Sequence, residues 1–202
     1  MNIVDAQREV RARYAGGFYG QAVSGALWLV SAGLATWGTP RAAIAVLVAG
    51  GFLIFPITEL LIRMGGAGQR LGPANSLHSL GMQVAFVLPL SMPLLLPIGL
   101  SDLNLFYPAL MILLGAHYVP FVFLYGMRMF AVLAAFLLGG GVIVARYLST
   151  SFGIGAWYTG AVLLIFAGVG RTLVRLERSR TSGGEAHPPP DGGGLCGELA
   201  PR

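Results

Sequence analysis

Apolar residues in this chain run in stretches long enough to be measured against a bilayer. A helix rises 1.5 Å per residue, so about 20 consecutive apolar residues cross a hydrocarbon core of roughly 30 Å. Six such stretches occur, from Phe18 to Gly38, Ala42 to Ile62, Leu77 to Gly99, Leu105 to Tyr125, Met129 to Leu148 and Ile154 to Leu173. Polar positions gather between them: Thr39-Pro40-Arg41, a longer glycine-rich loop from Arg63 to Ser76, Ser101-Asp102-Leu103-Asn104, Gly126-Met127-Arg128, and Ser149 to Gly153. Links this short make successive helices antiparallel neighbours. The pattern predicts an all-α, polytopic transmembrane helical bundle of six spans.

The ends read differently. Residues 1–17 form an N-terminal segment expected to lie at the interface as a short helix, with Asp5 as its candidate N-cap and Arg8, Arg11 and Arg13 on neighbouring turns. A cleavable signal peptide places a short apolar core directly behind a basic start, and that arrangement is not seen, so the first span is expected to be retained. Residues 18–175 make the transmembrane domain. Over 176–202 the chain turns to Ser182-Gly183-Gly184, Pro188-Pro189-Pro190 and Gly192-Gly193-Gly194, too poor in large side chains to offset its ordering entropy, and a disordered tail is expected.

Arginine placement orients the bundle. Arg8, Arg11, Arg13, Arg63, Arg70, Arg128, Arg171, Arg175, Arg178 and Arg180 fall at one set of helix ends, against only Arg41 and Arg146 at the other. The basic side faces the cytoplasm by the positive-inside rule, which puts both termini inside and Asp102 outside.

Composition narrows the class. With 55% of residues hydrophobic and 10% charged, the lipid bilayer is the expected solvent. The net charge of +5 sits between spans and at the ends, suited to anionic headgroups, and no nucleic-acid partner is expected. All 13 basic residues are arginine and Gly numbers 30, a bias that suggests a GC-rich bacterial source and hence the cytoplasmic membrane. The single cysteine, Cys196, lies in the tail, so neither a disulfide framework nor a thiolate metal site is expected. Without lysine there is no Gly-x-x-x-x-Gly-Lys phosphate loop, no His-Glu-x-x-His occurs, and Ser24-Gly25 is not framed as a nucleophile elbow. No catalytic residue, metal or cofactor is expected.

Ionisable groups inside a span cost about 2.5–3.5 kcal/mol on insertion scales, so each needs an account. Glu59 lies four residues before Arg63 on the same helical face, either an interfacial ion pair or a proton or cation site. His117 lies inside the fourth span between Gly115-Ala116 and Tyr118, with Pro120 removing the amide that would bond the Ala116 carbonyl; it is either packing glue or a proton-handling group. His78 and Gln83 follow a cap at Asn75 or Ser76. If the helices alternate in direction, Glu59, His78, Gln83, His117 and Arg128 share a depth in the cytoplasmic half. Pro89, Pro93 and Pro97 recur every four residues and should kink the third span, as Pro56 and Pro120 should bend the second and fourth. Gly16, Gly20 and Ser24 offer a small-residue face for close helix packing.

The run Gly115-Ala116-His117-Tyr118-Val119-Pro120-Phe121-Val122-Phe123-Leu124-Tyr125, with Phe55-Pro56-Ile57, resembles a family of small bacterial multi-pass membrane proteins of unknown function, in which Gly-Ala-His-aromatic-x-Pro leads to a Leu-Tyr ending. The resemblance covers about residues 5 to 175. It implies a six-helix membrane fold and transfers no activity. Two functions stay open: a small transporter handling a proton or solute beside the kinked third helix, or a non-catalytic scaffold or regulatory protein, either one free to form homo-oligomers. No inverted repeat between the halves decides between them.

Overall fold

The computed structural model describes residues 2–65, 75–148 and 151–184. Most of the loop expected from Arg63 to Ser76, including Arg70, and the tail from residue 185 onward, including Cys196, lie outside the described residues. Among the described residues the regular structure is entirely helical.

Helix α1 (Ile3–Tyr14) begins at Asn2, whose Oδ1 accepts the Asp5 amide at 2.9 Å. Asn2 is therefore the cap expected of Asp5, and Asp5 itself sits in the first turn, where a carboxylate faces the positive end of the helix dipole. Three successive left-handed residues then turn the chain, Ala15 (φ 48°), Gly16 (φ 64°) and Gly17 (φ 83°), before α2 (Phe18–Trp37). Thr39 caps α3 (Pro40–Gly51), accepting the Ala42 amide, with Pro40 at the first position where no amide is needed.

The second apolar stretch is not one straight helix. It breaks after α3 and resumes as α4 (Ile54–Met64), the two meeting at 55°. Pro56 explains the position: its ring clashes with the carbonyl four residues back, that of Phe52, and it brings no amide to bond it. The third stretch is α5 (Leu77–Ser91), a 3₁₀ turn at Met92–Leu94 and α6 (Leu95–Ser101). Pro93 has no amide for the Pro89 carbonyl, which accepts from Met92 instead and tightens the turn. Pro120, by contrast, lies inside an unbroken α7 (Phe106–Tyr125). The bundle closes with α8 (Met129–Tyr147) and α9 (Ile154–Gly184). Helix α9 runs through residues 176–184, where the tail was expected to begin, and Glu177 in this stretch is held by a bidentate pair with Arg11 of α1 at 2.9 and 3.2 Å.

Among the described residues four segments are long and apolar enough to cross a membrane: Leu77–Ser101, Leu103–Tyr125, Met129–Tyr147 and Ile154–Glu177, with α3 and α4 a fifth if the bent pair acts as one. Helix α2, expected as the first span, is not among them. Its hydropathy is lowered by Gln21, Ser24 and Ser31, all buried against protein. The helix packs along α9 and α3 and against α4, so its polar side chains face the protein interior in place of lipid.

Glycine pairs set the seam along α9: Gly16 meets Gly170 and Gly25 meets Gly160, whereas Gly20 of the expected small-residue face turns to Thr58 of α4. A Cβ on Gly25 would lie 3.2 Å from the Gly160 carbonyl oxygen, and one on Gly160 would lie 3.2 Å from that of Gly25, so a side chain at either position would press the two backbones apart by a few tenths of an ångström. Across the bundle, Ser31 of α2 ties three helices: its hydroxyl lies 2.9 Å from the Ala43 carbonyl of α3 and 2.6 Å from the Tyr107 hydroxyl of α7. Tyr107, Met111, Phe130, Leu133, Leu137 and Leu163 fill the core between α7, α8 and α9.

Candidate functional site

Helices α2 and α4 pack on each other, as do α5 and α7, and the two pairs face one another across a cavity of about 500 Å³. Val10 and Tyr14 of α1 close one end. Most of the wall is hydrocarbon or aromatic, with Trp28, Leu114, Phe121 and Phe130 among its residues. Tyr118 stands on this wall with its ring stacked on Phe130, their planes 15° apart.

Polar atoms without partners converge on the same wall. The amide nitrogen and oxygen of Gln21, the hydroxyl of Thr58 and Nδ1 of His117 are buried and have no hydrogen-bond partner among the described residues, and all three side chains line the cavity. Gln21 is 2% exposed. Each such group costs about 1–3 kcal/mol when left unpaired. Buried polar groups away from the cavity behave otherwise: Ser31 bonds Ala43, Asn75 bonds Ala6, and Thr159 bonds Gly155. The deficit belongs to this cavity and not to loose packing in general.

Glu59 also lines the cavity, but its partner is not Arg63. Its carboxylate accepts from Arg13 of α1 at 2.7 Å, with the two side chains only 18% and 14% exposed. The i to i+4 expectation missed this because α1 folds back under the bundle and places Arg13 closer. Beside the pair, burial and then the Glu59 charge push the Tyr14 phenol above its ordinary pKa.

Of the other residues singled out in the sequence, His78 lies at the cavity mouth and is exposed, while Gln83 is exposed and off the wall. Arg128 faces a separate surface depression with Arg11, Gly126 and Glu177. Common depth therefore does not bring all five together, since depth fixes height in the bundle and not the direction in which a side chain points. Pro56 and Pro89 line the cavity, and Pro93, Pro97 and Pro120 do not. The residues that were missed, Gln21, Ser24 and Thr58, carried a signal in part: Gln21, Ser24 and Trp28 recur at helical spacing and share one face of α2.

Helix α1 is fastened beneath the cavity by polar contacts. Gln7 Nε2 donates to the Phe123 carbonyl, which also accepts the Gly126 amide, and Arg11 donates to that of Tyr125, each at 2.6 Å, at the C-terminal end of α7 where a cation is favoured. Asn75 accepts the Leu77 amide as the effective cap of α5 and donates to Ala6 and Glu9 of α1.

Chemically the cavity offers neutral donors and acceptors set in an apolar wall, and one carboxylate already bound to a guanidinium. Among the described residues no group of three or more His, Cys, Asp or Glu side chains is placed to hold a metal. No curated protein and no solved structure matches the chain. Residues 3–171 match a family of unknown function, DUF7010, and the chain belongs to that family.

Proposed function

We propose that this protein is a solute-binding, transporter-like protein of the bacterial cytoplasmic membrane, non-catalytic, in which the cavity between α2, α4, α5 and α7 receives the solute. Six spans are assigned: α2, the bent α3–α4 pair, α5–α6, α7, α8 and α9, with both termini and α1 on the arginine-rich cytoplasmic side. The observation that carries the reading is the convergence of unpaired buried polar atoms from Gln21, Thr58 and His117 on one cavity wall. A bound solute or the water that accompanies it supplies the missing partners. Glu59 is assigned to holding α1 through Arg13 rather than to carrying a proton.

Cysteine reactivity tests this. In a Cys196→Ser background free of other thiols, Gln21→Cys and Thr58→Cys react with N-ethylmaleimide in the folded protein in nanodiscs, whereas Ser31→Cys and Thr159→Cys, fully buried and off the cavity, stay protected. Equal protection of all four would mean a closed, packed interior, and the scaffold reading would replace this one.

A further inference from the structure

The chemistry of the wall narrows what the cavity can hold, and this step rests on reading it as a binding site. No arginine lines it among the described residues, and its one carboxylate, Glu59, is bound to Arg13. A charged ligand would thus sit among apolar groups without a countercharge, which is costly where the local dielectric is low. A Gln amide presents both a donor and an acceptor, Thr58 a hydroxyl and His117 a ring nitrogen, which together match a carbonyl, amide or hydroxyl on the ligand.

Apart from His78, exposed at the mouth, the approach to the cavity is apolar as well. Phe52 and Phe55 stand on the α3–α4 side and Met82 and Phe86 on the α5 side; all four line the cavity, and all four are exposed. The α3–α4 bend falls at this point, turned by Pro56. Helix α5 contacts α7 and α1, and it belongs to the least buried of the candidate spans. Solvent-facing phenylalanines on both sides of an opening are poorly placed in water and well placed in lipid. The volume of about 500 Å³ falls within the range of pockets for drug-sized molecules, about 300–1,000 Å³.

We propose that the cavity binds an uncharged, lipid-soluble small molecule carrying a hydrogen-bonding group, which enters from the bilayer between α4 and α5 and pairs its polar group with Gln21, Thr58 and His117.

Trp28 reports on occupancy, because it lines the cavity, while Trp37 and Trp157 meet edge to face off its wall. With Trp37→Phe and Trp157→Phe, Trp28 is the sole remaining tryptophan of the three. The full chain in phosphatidylcholine nanodiscs is titrated with 4-benzoyloxy-TEMPO, an uncharged nitroxide with ester and nitroxide acceptors. Its trimethylammonium analogue and a phosphatidylcholine bearing a doxyl group on the acyl chain serve as the alternatives.

The expected result is saturable quenching by the uncharged nitroxide alone. Gln21→Leu weakens its half-saturation about fivefold, the effect of one lost neutral hydrogen bond from the amide N–H to an acceptor of the probe, and Thr58→Val weakens it less. Equal quenching by the cationic analogue would overturn the uncharged class. Quenching by the doxyl lipid alone would mean that an acyl chain fills the cavity. Quenching that rises without saturation, unchanged in both variants, would mean partitioning without a site. In each of these cases the maleimide reactivity of Gln21→Cys and Thr58→Cys still judges the solute-binding reading separately.

Discussion

The Arg13–Glu59 pair provides the sharpest quantitative test, because the sequence and the structure assign Glu59 different partners. The guanidinium and carboxylate lie 2.7 Å apart, and their side chains keep only 14% and 18% of their exposure. Removing one member of a fully buried pair costs about 3–5 kcal/mol, since the other charge is left without compensation. The exposure that remains lets some water reach the abandoned group. Arg13→Met, which keeps the apolar stem but removes the charge, is therefore expected to destabilise by about 2–3 kcal/mol. The double variant Arg13→Met with Glu59→Met should recover part of that loss and give a coupling energy of about 1–2 kcal/mol. Arg63→Met should cost under about 0.5 kcal/mol, as an exposed surface change. The assay is reversible unfolding by dodecyl sulfate in mixed micelles, followed by helical circular dichroism, for the four corners of the cycle and Arg63→Met. Zero coupling between positions 13 and 59, or a larger effect at Arg63 than at Arg13, would refute the reasoning that α1 is latched beneath the cavity by this pair.

Two further outcomes follow from the packing and the topology. Ser31→Ala leaves the Tyr107 hydroxyl and Ala43 carbonyl buried with one partner fewer, and should cost about 1–3 kcal/mol in the same unfolding assay; a loss under about 0.3 kcal/mol would show that the three-helix tie is not formed. With Cys196→Ser, intact cells treated with an impermeant maleimide should label Asp102→Cys but label Arg8→Cys only after permeabilisation, and labelling of both in intact cells would overturn the assigned orientation.

Much of the architecture was readable from the chain because its causes are local or depend only on length. Apolar runs of membrane length between Leu77 and Leu173 became helices of that length, and the breaks fall beside Pro56 and Pro93, although Pro120 leaves α7 unbroken. Membership of an uncharacterised family was expected from the sequence, and the match over residues 3–171 bears that membership out. Reading the site from depth was less successful. Glu59, His78, His117 and Tyr118 reached the cavity, but Gln83 and Arg128 did not, since residues at one height can face lipid, water or protein.

What the sequence by itself determined was the all-helical character, the long apolar segments, the helix breaks beside Pro56 and Pro93 and the clustering of arginine outside the apolar runs, all of which follow from backbone hydrogen bonding and solvent preference along the chain. Only the tertiary structure decided that α2 is shielded by its neighbours, that α1 folds back so that Arg13 rather than Arg63 meets Glu59, and that Gln21 and Thr58 join His117 on one wall. Those outcomes depend on which faces of distant helices meet. The meeting is set by backbone approaches such as Gly25 against Gly160, whose partners lie far apart in the chain and leave no mark in local periodicity.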